Sequence, residues 1–195
     1  MDIKKLIETM SISENLKNYT RHSWTSTLRQ ESIAEHSWRL SLMAYFISDE
    51  FPEADINKII QMCIFHDMGE AFTGDIPAFN KTDDHEKIES EMLYSWINTL
   101  PSPFNKKIKE LFMEMDEQKT LESKIFKALD KMEVVLQHNE APLSTWIPLE
   151  YTLNIEYGSE QVEFSDYFKN LKDELNKDSL KKIEKEIKNH IYLKY

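Results

Sequence analysis

Residues that break helices are rare in this chain and are confined to its middle. There are three glycines, Gly69, Gly74 and Gly158, and six prolines, Pro52, Pro77, Pro101, Pro103, Pro142 and Pro148. None falls in 1–51, 104–141 or 159–195. Long stretches of Leu, Ile, Met, Lys and Glu without Gly or Pro favour helix over strand. The apolar periodicity agrees. Ile33, His36, Leu40, Met43 and Ile47 recur at steps of three and four, as do Ile59, Met62, Cys63 and His66, and Ile125, Leu129, Met132 and Leu136. An all-α fold follows, with helices expected near 2–18, 32–50, 56–69, 85–99, 104–116, 120–139, 160–174 and 177–192. Ser32 with Glu35 three residues on reads as a capping box, and Asp55 as the cap of the next helix. The stretch 71–84 reads as an ordered loop. The aromatic-rich stretch 140–158 reads as a packed loop or short broken helix, and the mixed charges from Lys172 to Lys188 as a solvated helix face.

At 195 residues the chain suits one domain, expected to span 1–195 as a compact helical bundle. Its net charge of −11 disfavours a nucleic-acid polymer as partner. A small phosphorylated ligand remains open, because a bound cation can reverse the local field. The single cysteine, Cys63, excludes an internal disulfide and suits a reducing cytoplasm. No signal-peptide run opens the sequence, and no segment approaches the ~20 apolar residues of a membrane span.

The chemistry is expected around Phe65-His66-Asp67-Met68-Gly69-Glu70. His66 continues the apolar stripe of its helix, so Asp67 beside it is poorly solvated and needs compensation that a metal ion would supply. His36 lies in a second apolar stripe and Asp130 in a third. Three helices can therefore each direct a ligand inward. Two imidazoles and two carboxylates suit one divalent Mn, Co, Fe or Zn ion, and on a six-coordinate ion they leave room for water and a phosphate oxygen. On pattern alone, hydrogen-bonded core histidines and stripe-edge aspartates explain the same residues about as well.

These residues resemble a known family. Glu31 to Arg39, then His66-Asp67, then Asp130 are similar to the His…His-Asp…Asp signature of HD-domain phosphohydrolases, and within them to the 5′-deoxynucleotidase branch. Arg21-His22-Ser23-Trp24 resembles that branch's Arg-x-Gly-Trp element. Gly69 to Pro77 resembles its Glu…Gly-Asp-Ile/Leu-Pro loop, and Ala128-Leu129-Asp130-Lys131 its last segment. Two departures, Ser23 in place of Gly and a shorter link from Trp24 to Glu31, bear on the sugar pocket.

The resemblance implies an HD-type helical bundle with core motifs over about 15–140 and C-terminal helices over 160–192. It implies His36, His66, Asp67 and Asp130 as metal ligands and Glu70 as the acid/base residue. Glu70 also lies four residues after His66, hence on the same helix face; an exposed helix-end carboxylate is the alternative. Asp75 is assigned to the sugar hydroxyl or the nucleophile's network, or is a turn residue after Gly74. Arg21 is the first choice for the phosphate, since guanidinium binds it bidentately. Trp24 is either a wall of the sugar–base pocket or a core aromatic. His22, His85, His138 and His190 lack metal spacing, so a mononuclear site is expected. The implied activity is hydrolysis of nucleoside 5′-monophosphates by a cytoplasmic homodimer. The alternatives are an HD-type hydrolase of another phosphate compound, such as an alarmone nucleotide, and a non-catalytic nucleotide sensor.

Overall fold

The computed structural model describes residues 1–192, the last four by backbone alone, so the side chain of His190 lies outside the described residues. The chain forms two compact units. The first comprises Met1–His22 and Glu31–Phe126; the second comprises Ser23–Gln30 and Lys127–Tyr195.

In the first unit, α1 (Ile3–Ser13) and α2 (Asn15–Asn18) lead into a strand, β1 (Thr20–Trp24). After a tight turn at Thr25–Leu28 the chain returns as β2 (Gln30–Ser32), paired with β1. This hairpin was not expected from the sequence. Its strands span five and three residues, too short for alternation to register, and its turn places Leu28 at φ 62° without a glycine. Next come α3 (Ile33–Phe46), α4 (Ile56–Phe65), the single-turn α5 (Glu70–Thr73), α6 (Asp83–Thr99) and α7 (Phe104–Glu117). The expected caps are present. Ser32 Oγ accepts from Glu35 N–H while Glu35 returns a bond to the Ser32 backbone, and Asp55 accepts from Asn57 and Lys58. Helices α3 and α4 pack together, α2 rests on α3 and α5, and α6 covers α5 and α7. Ile33, Leu40, Ala44, Ile59, Met62 and Ile97 are fully buried in this core.

One expected boundary is corrected. The helix placed at 56–69 stops at Phe65, and residues 66–69 are turns closed by tighter bonds, Met68 N–H to Phe65 O and Glu70 N–H to Asp67 O. His66 and Asp67 therefore lie just past a helix end. Glu70 opens a new turn and does not share a continuous helix face with His66.

Helix α8 (Leu121–Glu140) runs from the first unit into the second. The second unit adds a 3-10 turn at Leu143–Thr145, α9 (Glu150–Glu156) and α10 (Asp166–Tyr192), with Phe168, Val162, Met132 and Leu129 buried. The two helices expected at 160–174 and 177–192 are one, because no Gly or Pro interrupts 166–192 and the earlier residues form turns. Its charges are also not all solvated. Lys172 Nζ donates to the carbonyls of Ile155 (2.8 Å) and Tyr157 (2.9 Å), and Lys182 Nζ to those of Asn139 (2.6 Å) and Ala141. These lysines cap carbonyls at the ends of α8 and α9, and burial lowers the pKa of both.

Gly158 closes α9 at φ 77°, and a Cβ there would sit 2.6 Å from Lys131 Cβ and 2.8 Å from Met132 Cε. Gly158→Ala combines left-handed strain with overpacking. It is expected to cost about 2–4 kcal/mol, measured as a lower denaturant midpoint at unchanged slope.

Candidate metal centre

The first unit brings His36, His66, Asp67, Arg21, Glu70 and Asp75 into one neighbourhood. His36 is fully buried on α3, directed inward by the stripe that contains Ile33 and Leu40. His66 and Asp67 come from the turn that follows α4. His66 Nε2 lies 3.3 Å from His36 Nε2 and 3.0 Å from Asp67 Oδ2, and His36 Nε2 lies 4.0 Å from the same oxygen. Ligands about 2.1 Å from a shared ion stand at such separations from one another.

The tautomer of His66 sharpens the point. Its Nδ1 is 2.9 Å from the carbonyl oxygen of Cys63, which can only accept, so Nδ1 carries the hydrogen. Nε2 then faces a carboxylate oxygen and a second imidazole nitrogen, where the metal-free chain needs a proton on the imidazoles and a bound cation would take that proton's place. Acceptors meeting in this way need a positive charge between them, and orientation of a ligating histidine by a backbone carbonyl is the usual outer support of a metal site. The donor set therefore fits a borderline divalent cation. Phe126 closes the far side of His66, with ring centroids 5.4 Å apart.

Arg21, on β1, donates from Nη1 to Asp67 Oδ2 at 3.2 Å, and its Nε stands 3.8 Å from Glu31 Oε2. Burial alone would raise the Asp67 pKa. The charges of His66, Arg21 and His36 overcome it and hold Asp67 well below the ordinary carboxylate range. Glu70 shows the opposite balance. It is buried at 6% exposure, its Oε2 makes no hydrogen bond, and burial with the charges of Asp67 and Asp75 pushes its pKa up to about 9. Asp75, in the loop after Gly74, is also raised, first by burial and then by Asp67; Arg21, the His22 backbone N–H and Lys81 oppose the rise. Carboxylates crowd this region beyond what Arg21 and Lys81 neutralise.

Asp130 and Trp24 belong to the second unit. Asp130 is buried at 7% exposure, with its carboxylate 3.1 Å from Lys127 Nζ and 3.4 Å from Lys131 Nζ. Trp24 is half-buried at the end of β1, where its carbonyl accepts from Gln137. His85 and His138 have other partners. His85 completes a capping box with Thr82 at the start of α6, and His138 joins Asn154 at 2.9 Å.

Sequence reasoning assigned no role to three supporting residues. Glu31, buried at 3% exposure, lies within 4.8 Å of a His36 ring nitrogen. The sequence carries no signal for it, because the hairpin that seats it is too short to show a pattern. Lys81 and Glu89 form a 2.8 Å ion pair that ties the Asp75 loop to α6. Glu89 packs over Gly69, where a Cβ would meet its Cγ at 2.8 Å. Nothing in the spacing of these residues marks that pairing.

This geometry defines a candidate metal-binding cluster on an all-α scaffold, and the chain belongs to the HD-domain family, whose model matches residues 13–172. It is 32% identical over 142 residues to the human protein named 5′-deoxynucleotidase HDDC2, covering 70% of this chain and 68% of that one. The Dictyostelium discoideum protein of the same name is 31% identical over 144 residues, 69% of this chain and 76% of the other. The fold matches a crystal structure described as a predicted metal-dependent phosphohydrolase from Magnetospirillum magnetotacticum MS-1, with TM-score 0.70, 24% identity and coverage of 89% and 93% of the two chains.

Proposed function

We propose that this protein is a metal-dependent phosphohydrolase that converts nucleoside 5′-monophosphates, deoxyribonucleotides in particular, to nucleoside and orthophosphate. The observation that carries this reading is the convergence of His36, His66 and Asp67 beside the buried Glu70 carboxyl. The relatives named 5′-deoxynucleotidase support it.

His36, His66 and Asp67 would hold the ion. Asp130 is proposed as the fourth ligand on its sequence motif alone. A divalent Mn, Co, Fe or Zn ion supplies Lewis acidity there, lowering the pKa of water and offsetting phosphoryl charge. Arg21 presents its guanidinium at the edge of the cluster, already held by Asp67 and Glu31, and binds the substrate phosphate. Glu70 would handle the proton: with a bound cation offsetting the neighbouring negative charge and keeping it ionised, its carboxylate takes a proton from the attacking water and returns it to the departing 5′-oxygen. Asp75, fixed by the His22 N–H, meets the sugar hydroxyl, and Trp24 lines the sugar–base pocket. The substrate is a small phosphorylated molecule and not a nucleic-acid polymer or a membrane. Among the described residues no helix is long and apolar enough to cross a membrane. The expected setting is the cytoplasm, and the expected assembly a homodimer.

The test is phosphate release from a panel of ribo- and deoxyribonucleoside 5′-monophosphates with several divalent ions, with pyrophosphate read in parallel. Orthophosphate from deoxyribonucleotides is the expected outcome. Pyrophosphate from a diphosphorylated nucleotide, or tight nucleotide binding without turnover, would contradict it.

A further inference from the structure

Helix α3 buries one face and leaves the opposite one apolar and uncovered. Ile33, His36, Ser37, Leu40 and Ala44 face the core. Trp38, Leu42, Tyr45 and Phe46 recur at helical spacing on the other side, 63%, 38%, 62% and 77% exposed. The Tyr45 and Phe46 rings touch edge to face, with centroids 5.7 Å apart. Scattered surface hydrophobes need no explanation, but three aromatic side chains and a leucine on one stripe do. Aromatic side chains carry about 150–250 Å² each, so the stripe exposes roughly 450 Å² of apolar surface. That lies in the middle of the ~300–600 Å² found for the largest patch on a monomer, a patch that is often functional.

We propose that this face of α3 is the interface between two copies of the chain, crossing antiparallel about a two-fold axis at Leu42. The proposal deepens the homodimer expectation by naming its surface. Area favours a second copy. An interface core is about 65% apolar, so roughly 450 Å² of apolar stripe implies about 700 Å² per copy, close to the ~800 Å² per partner of a stable complex. The stripe is also self-complementary, as a two-fold interface requires. With Leu42 on the axis, Trp38 of one copy meets Phe46 of the other. Arg39 approaches the acidic turn Ser48–Glu50 that follows the other copy's α3, with Asp49 and Glu50 at its end. The net charge of −11 on each copy opposes their approach, so added salt strengthens the pair.

The experiment is sedimentation velocity on the full chain and on Leu42→Glu and Leu42→Lys, alone and as an equimolar mixture. Wild type is expected at twice the 23.2 kDa chain mass. Each charged variant is expected as a monomer with unchanged helical circular dichroism, and the mixture should recover the dimer by pairing opposite charges on the axis. A wild-type monomer at ~100 µM overturns both the dimer and this interface; that concentration is well above the micromolar range in which interfaces of this area bind. A wild-type dimer that survives both substitutions keeps the assembly and overturns the α3 face. Monomeric variants whose mixture stays monomeric overturn the two-fold at Leu42.

Discussion

Asp67→Ala is expected to leave a folded helical protein that releases phosphate from nucleotides at least 10³-fold more slowly than wild type. Lewis-acid stabilisation is worth several kcal/mol of barrier, and each ~1.4 kcal/mol is tenfold in rate. Asp67 is the point where the other groups meet. Its Oδ2 stands 3.0 Å from His66, 3.2 Å from Arg21 and 4.0 Å from His36. Removing it takes away a ligand and releases the guanidinium from its position. Loss of helical circular dichroism would make the result a folding effect. Retained turnover in a folded variant would remove Asp67 from the chemistry. Arg21→Lys separates the two roles. A lysine keeps the charge but not the fork, so the expected effect is a raised KM with metal content unchanged.

Glu70→Gln is expected to lower kcat by about 10²–10⁴-fold while the protein still retains metal. It should also change the pH dependence of stability. In the folded metal-free protein Glu70 keeps its proton up to about pH 9, whereas in the unfolded chain it ionises near its ordinary value of 4.5. Between those values the folded state holds one more proton than the unfolded state. Stability therefore falls as pH rises, with a slope approaching ~1.4 kcal/mol per pH unit from this group. Metal-free wild type should lose denaturant midpoint from pH 5 to pH 9, and Glu70→Gln should flatten that decline. Equal slopes in the two proteins would show that Glu70 ionises normally when buried.

The helical scaffold was readable because its signals are local. Breaker-free stretches, the Ser32–Glu35 box and the Asp55 cap each act within a few residues, and the structure places helices where they point. The inward placement of His36 was readable for the same reason, since Ile33 and Leu40 fix its face. The misses came where tertiary packing overrides periodicity. The α4 stripe runs on through His66, which keeps helical dihedrals, while the residues after it tighten into turns with i−3 bonds that periodicity does not announce. The hairpin was too short to carry a pattern. Lys172 and Lys182 looked like members of a solvated charge run, and only the ends of α8 and α9 packed beside them reveal what they cap. The Lys81–Glu89 pair joins a loop to a helix, so no fixed spacing announces it.

The most direct measurement is the metal content of purified chain by elemental analysis, after loading with Mn, Co, Fe or Zn and removal of free ion, for wild type, His36→Ala and Asp67→Ala. Near one ion per wild-type chain, lost in both variants while their helical spectra persist, is the predicted result. A wild-type chain that retains no ion, or variants that keep a full complement, would contradict a cation held by His36, His66 and Asp67.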